Sequence, residues 1–267
     1  MSEQIDWDDA YANIPYIPDG ESYPQRWAED AAEFRAGVSA DLDLPYGDHP
    51  RQRFDLFHPE GEARGLVVFI HGGYWLKFDK SLWSHLAAGP LARGWAVAMP
   101  SYRLAPEVRI ADITQDARDA LVAIAERAAG PIALTGHSAG GHLTARMVCP
   151  DVDLPEAVAA RLARALPISP VTDLRPLLNT AMNDDFKMDE AAAAAESPAL
   201  CPAPRNVPVK VWVGGAERPV FLDQARWLAE AWPGTDLHIA PGLNHFTVIE
   251  GLTEPDSLLT RDLLDGL

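Results

Sequence analysis

The sequence predicts an α/β fold with a mostly parallel central sheet and helices on both of its faces. Two observations support this prediction. Apolar, strand-like runs alternate with helical segments along most of the chain, and two of those runs end in glycine-rich motifs. Strands separated by helices are typical of βαβ units, whose strands lie parallel. The chain has 267 residues, of which 48% are hydrophobic, so it can bury a sizeable core.

The individual elements follow from local residue patterns. Residues 1–45 are polar, contain prolines and carry five aromatic residues up to Trp27, which predicts an N-terminal arm packed over the body, with a helix at 27–34. Residues 46–267 are predicted to form the main domain. Within it, strands are predicted at 53–57, 65–71, 95–99, 131–135, 165–169, 207–213 and 237–240, and helices at 80–93, 110–128 and 140–148.

Residues 173–204 interrupt this alternation. Their sequence predicts two short helices and a loop. In open α/β sheets, ligands bind outside the carboxyl ends of the strands, and insertions there often carry function. We therefore expect this segment to form a small cap-like insertion beside a binding pocket.

A motif of the form G-x-S-x-G lies at residues 136–141 (G-H-S-A-G-G), between a predicted strand and a predicted helix. This arrangement is typical of the nucleophile elbow of an α/β-hydrolase, in which a sharp turn exposes a serine hydroxyl. We therefore expect the α/β-hydrolase fold, with Ser138 as the nucleophile. The motif at residues 71–75 (H-G-G-Y-W) predicts an oxyanion hole formed by the backbone N–H groups of Gly72, Gly73 and Ala139.

A serine nucleophile needs a base and an acid, which follow it along the chain in this fold in the order acid, then histidine. His245 lies in the loop after the last predicted strand and is the predicted base, whereas His238 lies within that strand. Glu217 directly follows the strand at 207–213 and is the predicted acid. Asp223, in the first turns of the next helix, remains the alternative.

Composition narrows the classes of partner. The net charge is −17, with 39 acidic and 22 basic residues, which disfavours binding to nucleic acid or to an anionic membrane surface. Cys149 and Cys201 are expected to be free thiols. The N-terminus lacks a signal-peptide pattern and no apolar run could span a bilayer, so we expect a cytoplasmic protein. No metal or nucleotide motif is present, so no cofactor or metal is expected. A homo-oligomer is compatible with the sequence.

Taken together, these motifs resemble the kynurenine formamidase (arylformamidase) branch of the α/β-hydrolases, which is related to the hormone-sensitive-lipase-like esterases. The resemblance covers about residues 45–250. Further matching segments lie at 101–107 (S-Y-R-L-A-P-E), 173–177, 183–184, 217–221 and 244–246. The chain departs from the family at one point, because the usual acid there is aspartate and this chain has Glu217.

The resemblance implies hydrolysis of N-formyl-L-kynurenine to L-kynurenine and formate. The substrate would then be a small aromatic molecule, neutral or zwitterionic, and Tyr74, Trp75 and Phe246 are expected to contact it. For Trp75, packing in the core is the alternative. Two other functions stay open: a carboxylesterase of small acyl or aryl esters with the same catalytic residues, and a non-catalytic binding protein on a hydrolase scaffold.

Overall fold

Eight strands form one central sheet in a computed structural model, which describes residues 5–202 and 204–267. In chain order the strands are β1 (Ala40–Pro45), β2 (Arg53–Phe57), β3 (Leu66–Ile70), β4 (Ala96–Pro100), β5 (Ile132–His137), β6 (Leu162–Ile168), β7 (Lys210–Gly214) and β8 (Asp236–Ala240). Their order across the sheet is β1-β2-β4-β3-β5-β6-β7-β8.

Most of this sheet is parallel. Strand β2 pairs antiparallel with both β1 and β4. From β4 to the other edge, each strand pairs in parallel with the next one, in the order β4-β3-β5-β6-β7-β8. The carboxyl ends of the parallel strands therefore meet at one edge of the sheet. The loops that follow β3, β5, β7 and β8 carry the predicted functional residues, and all four loops start at this edge.

Helices cover both faces of the sheet. The α-helices are α1 (Trp7–Tyr11), α2 (Tyr23–Gly37), α3 (Ala88–Ala92), α4 (Ile110–Ala125), α5 (Ala139–Arg146), α6 (Glu156–Ala159), α7 (Asn183–Phe186), α8 (Glu190–Ala195), α9 (Pro219–Ala231) and α10 (Leu258–Leu264). Alternate residues of β3 enter two different cores. Val68 packs in the core that contains residues of α4, α5 and α9, and Val67 packs in the core that contains residues of α2 and α10. The predicted α/β-hydrolase architecture, with a mostly parallel sheet, is confirmed.

Two local predictions need correction. The single helix predicted at residues 80–93 is wrong, because this stretch forms two short 3-10 turns, Lys80–Leu82 and Ser84–Ala87, followed by α3. Pro90 offers no backbone N–H to a longer helix, and the Asp79 side chain instead caps the first turn by accepting a hydrogen bond from the Ser81 N–H at 2.7 Å. The second correction concerns β1, which the sequence analysis did not identify.

The segment predicted as an N-terminal arm lies against the rest of the molecule at several points. The Arg218 guanidinium donates to the Asp9 carboxylate at 2.6 Å, and the Gln224 side-chain amide donates to the Tyr11 hydroxyl at 2.8 Å. Trp27 of α2 is buried against Trp83 and Phe246. The division of the chain at residue 45 stays a prediction. Within the described residues, no helix combines the length and apolar character that crossing a bilayer requires.

Candidate active site

Ser138 occupies the turn between β5 and α5. Its backbone has φ 58° and ψ −117°, a conformation that a residue with a side chain rarely adopts. Such strain costs on the order of 1–3 kcal/mol and persists only where the surroundings impose it. Here the Ser138 N–H donates to the Ile168 carbonyl at 2.9 Å, and the His142 N–H donates to the Ser138 carbonyl at 2.9 Å. This geometry is that of the nucleophile elbow predicted from the G-x-S-x-G motif.

Gly140 permits the close approach of α5 to β3. A Cβ atom added at Gly140 would lie 1.9 Å from the Ile70 carbonyl oxygen, which is far inside van der Waals contact. Because the obstructing atom belongs to the backbone of a central strand, it cannot rotate away. Gly140 thus sets the distance between β3 and α5, the helix that begins directly after Ser138.

Gly140→Ala is expected to destabilise the protein by about 1–3 kcal/mol or to prevent folding, because the added methyl group overpacks this contact. Urea unfolding would measure the change. Gly37→Ala is a matched control, since Gly37 lies at the end of α2 and a Cβ there meets nothing within 4 Å. Equal stability of the two variants would contradict the packing role of Gly140.

His245 and Glu217 meet at the same edge of the sheet. The His245 Nδ1 atom lies 2.5 Å from Glu217 Oε2, and both side chains are buried. The other carboxylate oxygen, Oε1, accepts hydrogen bonds from the Gly214 N–H at 2.7 Å and from the Ser169 hydroxyl at 2.5 Å. A carboxylate held in this way keeps the imidazole in the tautomer whose Nε2 can accept a proton.

Ser138 and His245 line the same cavity, as the sequence analysis predicts. Within the part of the chain that the structure describes, no hydrogen bond yet links the Ser138 hydroxyl to the imidazole. Such bonds are often long in unliganded enzymes and tighten when substrate binds. His137 lies beside them, with ring centroids 4.6 Å from His245, and burial lowers the pKa of His137 well below its usual value. His137 is therefore neutral and adds no charge next to the candidate base.

The structure does not support the alternative acid. The Asp223 carboxylate is about half exposed on α9 and pairs with Arg226 at 3.1 Å. It makes no contact with His245. The other late histidine, His238, stacks on Trp212 with ring centroids 4.0 Å apart, away from the cavity. Of the carboxylates weighed from sequence, Glu217 is the one that contacts the candidate base.

Three backbone N–H groups stand free next to Ser138. In the described residues, the N–H groups of Gly72, Gly73 and Ala139 have no hydrogen-bond acceptor, and Ala139 is the first residue of α5. A Cβ atom at Gly72 would lie 3.1 Å from Ser138 Cβ, so the loop passes directly beside the candidate nucleophile. Gly73 has φ +115°, which side chains disfavour. Unpaired donors at this position suit a developing oxyanion.

The loop after β3 is held in place by His71 and Tyr102. The Tyr102 hydroxyl donates to the His71 carbonyl at 2.8 Å, and the two rings stack with centroids 4.3 Å apart. Burial lowers the pKa of His71 to about 4, so the ring is neutral at physiological pH. These contacts fix the backbone at His71, directly before Gly72 and Gly73. They account for the histidine in the motif at 71–75 and for the tyrosine in the segment 101–107.

A cavity of about 460 Å³ opens onto Ser138 and His245. Its walls are largely aromatic, with side chains of Tyr11, Trp27, Tyr74, Phe78, Trp83 and Phe246. Asn13 and the oppositely charged Asp8 and Lys77 supply polar groups, and the two charged residues are exposed. Tyr74 and Phe246, which the sequence analysis expects to contact substrate, lie in this wall. Met182 of the segment 173–204 also lines the cavity.

Trp75 does not belong to the cavity wall, and the expectation that it contacts substrate is corrected. Its side chain is fully buried in the core, edge-on to His142 and Phe186 at centroid distances of 5.1 and 5.7 Å. Tyr74 and Trp75 both have positive φ, 53° and 57°. This tight turn sends neighbouring side chains to different places, which the sequence motif alone does not reveal.

Ser169 is a candidate site residue that the sequence analysis missed. It lies directly after β6 at φ 45°, fully buried, with its hydroxyl on Glu217. Its only signal in the sequence is a serine at the carboxyl end of a strand. The cavity residues Asn13 and Trp83 were missed for a similar reason, since they come from segments far from the motifs.

Ser169→Ala is expected to lower kcat about tenfold, because Glu217 loses one of the hydrogen bonds that fix its carboxylate, and a bond to a charged group contributes about 1.5–3 kcal/mol. The Gly214 N–H bond remains, so activity is not abolished. Steady-state kinetics would show a fall in kcat with little change in KM. A variant with unchanged kcat would remove Ser169 from the site.

Comparison with known proteins agrees with this geometry. A family model described as alpha/beta hydrolase fold matches residues 67–245, more than half of the chain. The chain is 28% identical over 236 residues to a kynurenine formamidase of Danio rerio, covering 84% of this chain and 80% of that protein. It is 29% identical over 237 residues to a kynurenine formamidase of Salmo salar, with the same coverage. The resemblance predicted from the motifs is confirmed.

Solved structures extend the comparison. A protein from Silicibacter sp., provisionally assigned as a thioesterase, is 57% identical and superposes with a TM-score of 0.95, covering 97% of this chain and 99% of that chain. Esterase B of Lactobacillus rhamnosis is 19% identical with a TM-score of 0.68, covering 91% of this chain and 90% of that one, and this likeness concerns the fold alone. From the extent of the family match and the shared architecture, this chain belongs to the alpha/beta hydrolase fold family.

Proposed function

We propose that the protein is a serine hydrolase that acts as an arylformamidase, converting N-formyl-L-kynurenine to L-kynurenine and formate. The observation that carries the proposal is the aromatic cavity into which both Ser138 and His245 face. The kynurenine formamidases similar to this chain over 84% of its length support the same activity. Ser138, His245 and Glu217 are the proposed nucleophile, base and acid.

In the first half of the reaction, the Ser138 hydroxyl attacks the formyl carbon while His245 takes its proton. The carbonyl oxygen becomes an oxyanion, which the N–H groups of Gly72, Gly73 and Ala139 stabilise in the proposed mechanism. The tetrahedral intermediate then collapses as His245 gives the proton to the departing arylamine nitrogen. The products of this half are the free arylamine and a formyl ester on Ser138.

In the second half, water attacks the formyl ester with His245 as base. The same oxyanion site serves again, and formate leaves as Ser138 regains its proton. Throughout, Glu217 stabilises the imidazolium form of His245 by accepting the Nδ1 hydrogen bond. A formyl group needs little space beside Ser138, so most of the cavity is left for the leaving group.

The cavity fits an aromatic amino acid derivative. Its volume of about 460 Å³ lies within the usual range for small-molecule sites, about 300–1,000 Å³, and its aromatic walls can stack on an aryl ring. The exposed Asp8 and Lys77 offer one charge of each sign, which matches the ammonium and carboxylate groups of a zwitterionic substrate. We therefore favour a zwitterionic aryl formamide as the substrate class.

Hydrolysis of small esters or thioesters is the second candidate. It is favoured by the 57% identity to a protein provisionally assigned as a thioesterase. The same nucleophile, base and oxyanion site would serve an ester or thioester, since all these substrates react through a tetrahedral intermediate. The two candidates differ in the leaving group that the cavity selects.

Comparison of kcat/KM for N-formyl-L-kynurenine, p-nitrophenyl acetate and a short acyl thioester distinguishes these functions. The proposal expects the formamide to be the best substrate. A higher kcat/KM for either of the others would transfer the assignment to that class. Labelling with an organophosphate checks the chemistry independently, because one label per chain is expected and Ser138→Ala should remove it. An unreactive Ser138 would favour a binding protein.

A further inference from the structure

We infer that Cys149 and Cys201 form a redox-active pair, in which Cys201 reacts with a hydroperoxide and Cys149 then closes a disulfide. They are the chain's two cysteines, and both are free thiols in the structure. Neither takes part in the proposed hydrolysis. This inference is independent of the substrate of the hydrolase site.

The pair joins two different parts of the fold. Cys149 follows α5, the helix that begins at the candidate nucleophile, and Cys201 follows the short 3-10 turn Pro198–Leu200 near the end of the segment 173–204. Their Sγ atoms and a carboxylate oxygen of Asp151 all lie within 4.8 Å of one another. The two thiols are therefore neighbours across these two segments, and a disulfide bond of about 2 Å requires their sulfur atoms to move closer together.

The surroundings give the two thiols different reactivities. Cys201 is half-buried, and the Arg146 guanidinium donates to its Sγ at 3.2 Å. Interaction with the Cys149 thiol and the charge of Arg146 lower the pKa of Cys201, while burial and the Asp151 carboxylate, to which the Cys201 Sγ–H donates at 3.5 Å, act in the opposite direction. Thiolates are the reactive form of cysteine, and they occur beside cationic side chains.

Cys149 has the properties of a resolving thiol. It is fully buried, and its Sγ–H donates to the Ala145 carbonyl at 3.5 Å. Interaction with the Cys201 thiol and burial both raise its pKa. A bulk oxidant reaches Cys201 before it reaches Cys149. Once Cys201 carries the oxidised sulfur, Cys149 is the thiol next to it.

The chemistry balances in two steps. The Cys201 thiolate attacks a peroxide oxygen, so that an S–O bond forms and the O–O bond breaks, giving a sulfenic acid. The alkoxide or hydroxide that leaves takes up the proton lost by the thiol and becomes an alcohol or water. The Cys149 sulfur then attacks the Cys201 sulfur. The S–S bond forms, the S–O bond breaks, and the hydroxide leaves as water with the Cys149 proton. Two thiols are oxidised and one hydroperoxide is reduced.

The same three side chains could in principle bind a metal ion, but the local charge disfavours it. Arg146 contacts both Cys201 and Asp151, the latter at 2.6 Å, so a divalent cation would have to displace a buried guanidinium. Structural zinc sites also take four ligands, and this cluster offers three within the described residues. A dithiol that oxidises fits these contacts better.

Peptide mass spectrometry tests the inference directly. The protein is treated with hydrogen peroxide, its remaining thiols are alkylated, and it is digested with trypsin. We expect residues 147–161 and 188–205 to appear as one cross-linked peptide lighter by two hydrogen atoms, and to separate after reduction. Thiols that stay fully alkylatable, or that over-oxidise without a cross-link, would overturn the proposal.

Variants assign the roles. In Cys149→Ala, dimedone should trap a sulfenic acid on Cys201, whereas in Cys201→Ser no adduct on Cys149 is expected. An adduct on Cys149 alone would overturn the assigned order. Ser138→Ala should still form the cross-link, so failure of the hydrolase assignment would leave this result unaffected. Stoichiometric zinc binding that is lost in Cys201→Ser, without a cross-link in the wild type, would identify a metal site and overturn the redox role.

Discussion

Ser138→Ala is expected to lower kcat by about a millionfold, the loss that is typical when a serine nucleophile is removed from such a site. What remains is the weak rate provided by binding and by the oxyanion donors alone. The fold should be retained, because the hydroxyl has no hydrogen-bond partner in the described residues and an alanine meets the same backbone strain as a serine.

The measurement is kcat on N-formyl-L-kynurenine, together with the urea midpoint of the variant. Ser39→Ala is a suitable control, since Ser39 is exposed and its side chain is not hydrogen-bonded in the described residues. Activity of Ser138→Ala near that of the control would exclude the serine mechanism. If the urea midpoint of the variant also falls strongly, the lower kcat would reflect unfolding and not the loss of the nucleophile.

Glu217→Gln should lower kcat about 10⁴-fold, the effect seen when the acid of a serine triad becomes an amide. The physical reason lies in the hydrogen bonds. The Ser169 hydroxyl and the Gly214 N–H both donate to Oε1 of Glu217, so the amide oxygen of a glutamine takes that position. The amide NH₂ then faces His245 Nδ1, which must be the unprotonated nitrogen. The proton moves to Nε2, where the base has to accept one.

Asp223→Asn is the matched control for this change. Asp223 is about half exposed and paired with Arg226, so its neutralisation is expected to change kcat less than about twofold, in keeping with the small effect of surface ion pairs. The measurement is kcat of both variants, determined over the same series of substrate concentrations. The reverse ranking would move the acid to Asp223 and would contradict the contact seen in the structure.

The parts of the site predicted from sequence are those in which one residue type is forced by local geometry. The elbow needs Gly140, because the helix touches the backbone of β3. The loop at Gly73 needs a residue that tolerates positive φ. The order of serine, acid and histidine is the one that accompanies the nucleophile elbow in the α/β-hydrolase fold. These constraints act over a few residues or over whole strands, so they can be recognised in the sequence.

The parts that were missed depend on contacts between distant segments. Nothing local distinguishes Ser169 from another serine after a strand, and its role appears only where it meets Glu217. Trp75 is adjacent to Tyr74 in the motif, yet the turn sends it into the core. The sequence analysis missed strand β1 because it is a short edge strand, mostly exposed, that contains two aspartates and ends at a proline.

The wall of the cavity has a consequence for how the protein is made. Tyr11 and Asn13 face a space that His245 and Phe246 complete, and Tyr11 is held by Gln224, a residue 213 positions later. A nascent chain therefore cannot complete the wall around Tyr11 and Asn13 until His245 and Phe246 have been translated. A product of translation that stops before residue 245 lacks both the candidate base and the last part of the cavity wall.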